Sequence, residues 1–212
     1  MKKITDIYTQ YNIMPNLQLH QLRVAAVASQ ICDSLDVDVD KEKIITTCLL
    51  HDMGNIIKAD FSRFPDFLEP EGVEYWKEVK DHFVRTYGNK EDLATLAIMK
   101  ELGVLQDLQD YAHKLDFAHV CKTKQGEDLT LKVIKYSDLR VGPYGVLSYE
   151  DRMNDVKERY SGRAHLYQDR EELILCGKEL ESQVFSHSNI KPEDISDESV
   201  ASQIEILKNF EI

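Results

Sequence analysis

The sequence predicts an all-α protein. Apolar residues recur at the three- and four-residue spacing of amphipathic helices in almost every segment, and no run shows the alternation of a β-strand. Capping residues, Gly and Pro separate these segments where helices should begin and end. We expect one helical domain over residues 1–187 and an acidic helix or tail over residues 188–212, in a chain long enough to bury one sizeable core.

The predicted helices follow one another along the chain. Asp40 is expected to cap the third, Asn89 the fifth, and Ser148 the eighth through a capping-box pattern. Residues 53–70 contain Gly54 and two Pro and predict a loop with a short turn or two. The helices are predicted over residues 3–12, 16–36, 41–52, 71–87, 90–102, 105–121, 127–141, 149–160 and 164–186, with a last one from Pro192 to residue 211.

Charge and composition exclude several classes of function. The net charge of -12 repels phosphate backbones, which argues against nucleic acid as a partner. No stretch approaches the ~20 apolar residues of a membrane span, and the first residues lack the apolar core of a signal peptide. The four Cys, which form no CxxC, are expected to be buried free thiols. We therefore expect a cytoplasmic protein whose partners include no membrane.

Four ionisable residues lie on apolar helix faces. His20 is in line with Val24 and Val27, and Asp138 is in line with the apolar residues of its own predicted helix. His51 and Asp52 close the third helix on its apolar face. Burial of such groups costs several kcal/mol unless they find partners. Two imidazoles and two carboxylates are suitable ligands for a divalent transition metal or Mg²⁺.

Each of these residues also has a structural interpretation. An inward His can simply bond to the backbone, Asp52 can pair with a neighbouring cation, and Asp138 can pair with Arg140. The combination favours a common partner, because three helices send polar groups toward the same interior. From spacing alone, both interpretations stay open.

The same residues resemble the HD superfamily of metal-dependent phosphohydrolases. The stretch "LHQLRVAAVASQI" is similar to the first helix of that family, "CLLHDMGN" to its signature, and "LKVIKYSDLRVGP" to its closing Asp helix. The resemblance covers residues 16–160. It implies a bundle of five or more helices with a metal site at its centre. It also implies that His20, His51, Asp52 and Asp138 bind one divalent ion, which would be Mn, Fe, Ni, Co, Zn or Mg.

The chain departs from the family pattern after the signature. Many members have a Lys where this chain has Asn55, whose amide can orient a water or a substrate hydroxyl but supplies no charge. Asp60 lies at the offset where the deoxynucleoside-monophosphate branch of that family has an acidic residue near the substrate, but it can equally be a solvated loop residue. Arg140 is the preferred candidate for holding a phosphate, and Arg23, one turn after His20, is the second; either can instead be a surface ion-pair residue.

Three functions remain open at this stage. The first is a phosphohydrolase acting on a small phosphate ester, most simply a nucleotide, with Asp52 accepting the proton of the attacking water. The second is a non-catalytic HD module that binds a nucleotide or a protein. The third is an HD-type di-iron oxygenase, which needs extra His ligands. His119, expected to face inward, and His82 are the candidates for a second metal.

Overall fold

The computed structural model describes residues 1–159 and 170–212. Within these ranges the chain forms α-helices and short 3₁₀ helices and contains no β-strand, so the all-α prediction is confirmed. The helices are α1 Ile4–Gln10, α2 Pro15–Ser34, α3 Lys41–Leu50, α4 Val73–Tyr87, α5 Glu91–Glu101, α6 Gln106–His113, α7 Val120–Gln125, α8 Leu129–Leu139, α9 Tyr149–Arg159, α10 Arg170–Phe185 and α11 Asp197–Leu207. Residues 160 and 164–169, which were predicted as helix, lie outside the described ranges.

Two of the three predicted caps are present. The Asp40 carboxylate accepts a hydrogen bond from the Lys43 amide at 3.1 Å, and Ser148 Oγ accepts one from the Asp151 amide at 3.0 Å. These bonds satisfy backbone donors that have no partner in the first turn of a helix. The Asn89 prediction was wrong, because α5 begins one residue later and its N-cap residue is Lys90, which makes no side-chain cap.

Two predicted helices are broken in the structure. The helix expected over 105–121 ends at His113, and a 3₁₀ turn over Phe117–His119 separates it from α7. Asp116 causes the restart, since its side chain accepts the Ala118 amide at 2.8 Å and so competes with continued helix. The helix expected from Pro192 forms one 3₁₀ turn, after which Ser196 caps α11 through the Ser199 amide.

The loop over residues 53–70 was predicted correctly. It contains two 3₁₀ turns, Asn55–Lys58 and Pro65–Leu68. Gly54 lies so close to α5 that a Cβ atom would come within 2.3 Å of the Glu91 carbonyl oxygen. Its amide donates to Thr95 Oγ1 at 2.9 Å. A larger residue would push the loop away from α5, directly after His51 and Asp52.

Helix α2 lies at the centre of the bundle and packs against α3, α8 and α11. Its small residues Ala25, Ala26 and Ala28 are fully buried and let these neighbours approach closely. The helices that carry the predicted ligands are therefore direct neighbours. Because α11 also packs on α2, the segment after residue 187 covers the bundle, and the boundary proposed there stays a prediction.

The cysteines differ from the prediction in part. Cys121 of α7 and Cys176 of α10 form a disulfide, with their Cα atoms 5.0 Å apart, whereas Cys32 and Cys48 are free thiols. The expectation of four free thiols was wrong because α7 and α10 pack side by side, which a separation of 55 residues does not reveal. Disulfides are rare in the reducing cytosol, so the cysteines no longer support the cytoplasmic location, which stays a prediction. No described helix combines the length and the hydropathy needed to cross a membrane.

Arg140 lies inside the protein, although the sequence made it the preferred candidate for holding a phosphate. It is 2% exposed. Its guanidinium donates to Tyr136 Oη at 2.7 Å and to the carbonyl oxygens of Pro192, Ile195 and Leu147. Tyr136 Oη in turn donates to the buried Glu181 at 2.7 Å. Arg140 therefore joins α8 to the C-terminal segment, and its donors are not directed at a substrate.

We expect Arg140→Met to lower the free energy of unfolding by about 3 kcal/mol or more, because the Ile195 carbonyl oxygen loses its donor in a buried position and the Tyr136 and Pro192 oxygens each lose one hydrogen bond. Urea unfolding followed by circular dichroism measures this loss. Arg85→Met is the matched control, since Arg85 is exposed on α4, and it should change the value by less than about 0.5 kcal/mol. Equal unfolding midpoints for the two variants would show that the Arg140 network does not stabilise the fold.

Candidate metal centre

The four residues singled out by their inward position meet in one place. His20 Nε2 lies 3.5 Å from Asp52 Oδ2 and 3.2 Å from Asp138 Oδ1. His51 Nε2 lies 3.6 and 3.4 Å from the same two oxygens. We call these residues the His/Asp cluster. Two ring nitrogens thus face two carboxylate oxygens across a space bounded by three segments of the chain.

Each segment contributes its residue for a local reason. His20 lies in the second turn of α2, and Asp138 lies in the last turn of α8. His51 is the C-cap residue of α3, so the chain leaves the helix there and Asp52 turns to the same side. His51 Nδ1 lies 2.8 Å from the Cys48 carbonyl oxygen. A carbonyl only accepts, so Nδ1 carries a proton and Nε2 is the nitrogen left to bind a metal ion.

The cluster is rich in negative charge. Burial lowers the pKa of His51, but the carboxylates of Asp52 and Asp138 outweigh this effect and raise it to about 9. Burial raises the pKa of Asp138, yet the two imidazoles hold it well below its usual range. In the metal-free protein His51 is therefore protonated at neutral pH. The position between the carboxylates attracts a cation, and here a proton supplies the charge.

The donor set fits a divalent metal ion. His51 Nε2 is buried and has no hydrogen-bond partner among the residues that the structure describes. Single ligand atoms of His20, His51 and Asp52 lie within 4.8 Å of one another. Asp138 is outside that group of three, but its Oδ1 lies 3.2 and 3.4 Å from the Nε2 atoms of His20 and His51. The residues come together as the sequence predicted, and their binding of a metal ion stays a prediction.

The cluster is buried on one side and accessible on the other. The side chain of His51 is 2% exposed, whereas those of His20, Asp52 and Asp138 are 17%, 19% and 25% exposed. A small molecule can therefore reach the carboxylates from solvent, while the His51 ring is held from behind.

Sequence reasoning missed Gln21. Its Oε1 accepts a hydrogen bond from the Asp52 amide at 3.2 Å, and the residue is fully buried. Its Nε2 is buried without a hydrogen-bond partner within the described part of the chain. Gln21 therefore positions the backbone of Asp52 from α2. A polar residue three before Val24, on the apolar face, was the signal available in the sequence.

A second missed residue is Lys135, one turn before Asp138 on α8. It is fully buried, and its Nζ donates to the Asp116 carbonyl oxygen at 2.5 Å. Burial lowers its pKa to about 8, although the charges of Asp138 and Asp116 oppose this shift. Lys135 thus places a buried positive charge behind the cluster.

Asn55 and Asp60, the other two residues predicted to bind the substrate, make local contacts in the loop after α3. Asn55, the last residue of the signature, is partly buried, and its backbone N–H donates to the Asp52 carbonyl oxygen at 3.0 Å. Asp60 is exposed, accepts two hydrogen bonds from Ser62 and pairs with Arg63. These contacts close a turn, and hydrogen bonds from Ser62 lower the pKa of Asp60.

Neither candidate for a second metal joins the cluster. His82 and His119 are both exposed. The inward orientation predicted for His119 was wrong, because the break after His113 rotates the chain and ends the apolar stripe on which the prediction relied. Arg140 is also absent from the cluster, since its guanidinium is committed to the C-terminal segment.

The comparisons with known proteins agree with this description. A family model described as HD domain matches residues 18–102. The matched part includes His20, His51 and Asp52, and it confirms the resemblance to the HD superfamily, while Asp138 lies beyond it. No curated protein and no solved structure matches the chain significantly.

We expect Mn²⁺ to raise the melting temperature of chelator-treated protein by roughly 5–10 °C when the ion is in about 100-fold excess over its Kd. The metal affinity should increase from pH 6 toward pH 9, because His51, whose pKa is raised to about 9, must lose its proton before Nε2 binds the ion. Thermal melts and isothermal titration at several pH values measure both effects.

Two variants accompany this experiment. Asp138→Ala should keep the helix content and lose the metal, whereas His113→Ala, which changes a His that is 55% exposed, should bind metal like the wild type. Metal stoichiometry that is unchanged in Asp138→Ala would remove Asp138 from the ligand set.

We expect Gln21→Leu to reduce metal affinity about tenfold or more, because residues that orient metal ligands typically contribute this much. The Asp52 amide loses its acceptor, while the side-chain volume stays similar. Titration with Mn²⁺ measures the change, and Gln10→Leu on the exposed face of α1 is the control. The same affinity in both variants would mean that Gln21 only fills space.

Proposed function

We propose that this HD-domain protein is a metal-dependent phosphohydrolase that acts on a small phosphate ester, namely a nucleotide. The observation that supports the proposal best is the meeting of two imidazoles and two carboxylates in one partly accessible cluster. Structural His and Asp residues need no such meeting, because each would find its own partner.

A divalent ion held by His20, His51, Asp52 and Asp138 would make bound water a better nucleophile and polarise a phosphoryl oxygen. The protein's own residues would do the rest. The Cys48 carbonyl fixes the ring of His51, and Gln21 fixes the backbone of Asp52. Asp52 would accept a proton from the attacking water as the water oxygen bonds to phosphorus. The ester bond to phosphorus breaks, and the departing ester oxygen keeps the electron pair and takes a proton from solvent. The partial exposure of Asp52 lets that proton pass on to solvent.

The charge of the protein favours a small substrate. Each further phosphate of a long polyanion adds repulsion against a surface of net charge -12. A monoester brings a single phosphate group, which one metal ion and one cation can offset.

Three aromatic residues from two loops support a nucleotide as the substrate. Phe64 and Phe67 belong to the loop after the signature, and Tyr144 belongs to the turn six residues after Asp138. Their ring centroids lie 5.3 to 6.0 Å apart, and Tyr144 is 65% exposed. We call these three residues the aromatic lip. Exposed rings of this kind stack on nucleobases.

One observation favours the alternative of a non-catalytic HD module that binds a nucleotide or a protein. Asn55 stands where many members of the superfamily have a Lys, so one positive charge near the signature is missing. The di-iron oxygenase has less support, because His82 and His119 are exposed in the described structure.

We expect phosphate release from at least one nucleoside monophosphate with Mn²⁺, Co²⁺, Ni²⁺ or Mg²⁺, because the cluster combines metal ligands with an accessible face. Released phosphate is measured over a panel of monophosphates and sugar phosphates. His51→Ala is the blank, since His51 is the most deeply buried member of the cluster. Equal rates for the wild type and the blank with every metal and ester would leave the binding module as the better hypothesis.

We expect Tyr144→Ala to raise KM for nucleotides by about fivefold to tenfold, because stacking on a base contributes about 1 kcal/mol or more. KM for glycerol phosphate, which has no ring to stack, should be unchanged. Tyr75→Ala removes another exposed ring, on α4, and serves as the control. A similar rise in KM for both esters would show that the aromatic lip does not recognise the base.

A further inference from the structure

Arg23 lies on the central helix α2, one turn after His20 of the His/Asp cluster. It follows His20 by three residues on α2, and residues at this spacing are neighbours on a helix surface. Its side chain is 16% exposed. A guanidinium in this position is largely removed from water and one helical turn from a candidate metal ligand.

The hydrogen-bonding capacity of Arg23 is not used within the described residues. A guanidinium has five N–H donors. Across residues 1–159 and 170–212, the ion pair of Arg23 Nε with Asp197 Oδ1 at 3.4 Å is its one charged contact, and Nε is buried without a hydrogen bond. Arg140 is the opposite case, with four hydrogen bonds and almost no exposure. Buried polar groups without partners are uncommon and call for an explanation.

The loop after Asp138 holds Asp197 in place. Asp197 Oδ2 accepts the Val146 amide at 3.2 Å, while Oδ1 faces Arg23. A Cβ atom on Gly145 would lie 2.2 Å from Oδ2, so a side chain at this position would displace the Asp197 carboxylate. Asp197 thus bridges the loop and α2, and Arg23 is linked through it to the loop that follows Asp138.

The charges of the site require a cation of this kind. Asp52 and Asp138 together balance one divalent ion, so the two negative charges of a phosphate monoester remain to be offset. Arg140 is committed elsewhere, and Lys135 is fully buried behind the cluster. Arg23 is partly accessible and has unused donors, and the planar guanidinium fork matches phosphate oxygens.

We infer that Arg23 binds the phosphate group of the ligand at this site. The inference rests on the proposed function for its ligand, a phosphate group beside the cluster, but it does not require that the protein turns a substrate over. It replaces Arg140, the first choice from sequence, with the arginine whose donors remain available.

The test uses inorganic phosphate as the probe. The full-length protein is loaded with one equivalent of Mn²⁺ and freed of excess metal, because free Mn²⁺ precipitates phosphate, and is titrated with orthophosphate in a calorimeter. Arg23→Ala should weaken phosphate binding about tenfold or more. Arg85→Ala, an exposed arginine on α4, should leave it unchanged, and Mn²⁺ content should be equal in all three proteins.

Phosphate binding tests this inference, whereas ester hydrolysis tests the proposed function, so the two can fail independently. Equal phosphate affinity in Arg23→Ala and wild type, or no phosphate binding by the wild type, overturns the inference. If Arg23→Ala does not fold, Arg23→Gln decides the question, because it keeps most of the side chain and removes its charge. A wild type that hydrolyses no ester yet binds phosphate through Arg23 would defeat the proposed activity and support the inference.

Discussion

The concentration of negative charge between α2, α3 and α8 is the constraint on which the rest of the structure depends. The carboxylates of Asp52 and Asp138 both face the Nε2 atoms of His20 and His51 in a partly buried space, and two carboxylates that share a site repel unless positive charge lies between them. The raised pKa of His51 and the buried Lys135 both place positive charge near these carboxylates. A divalent ion would compensate the negative charge more completely than a proton on His51 does.

The arginines show how the fold divides positive charge between structure and ligand binding. Arg140 stabilises the junction of α8 with the C-terminal segment and uses four of its five donors there. Within the part of the chain that the structure describes, Arg23 forms one ion pair, with the half-exposed carboxylate of Asp197. The segment after residue 187 thus takes part in both arrangements, since it supplies the carbonyl oxygens that bind Arg140 and the Asp197 that faces Arg23.

Helical periodicity was sufficient to predict the fold class and the four residues of the cluster. An inward His or Asp on an apolar stripe must find a polar partner inside the protein, because its burial without one is costly. Periodicity failed where the chain changes direction for local reasons. Asp116 starts a new turn and leaves His119 in solvent, which no apolar stripe indicates. It also failed for partners distant in sequence, such as the carbonyl oxygens that bind Arg140, the Gln21 contact with Asp52, and the pairing of Cys121 with Cys176.

The disulfide has a topological consequence for the cluster. The covalent ring that it closes runs from Cys121 to Cys176 and includes all of α8, so Asp138 lies inside the ring, whereas His20, His51 and Asp52 precede it in the chain. In an unfolded oxidised chain the ring restricts how far Asp138 can move from α7 and α10, but it places no restriction on the other three. The His/Asp cluster is therefore assembled from one segment of the chain that the disulfide tethers and one that it does not. Within the described residues, noncovalent packing of α8 on α2 and α3 brings the two segments together.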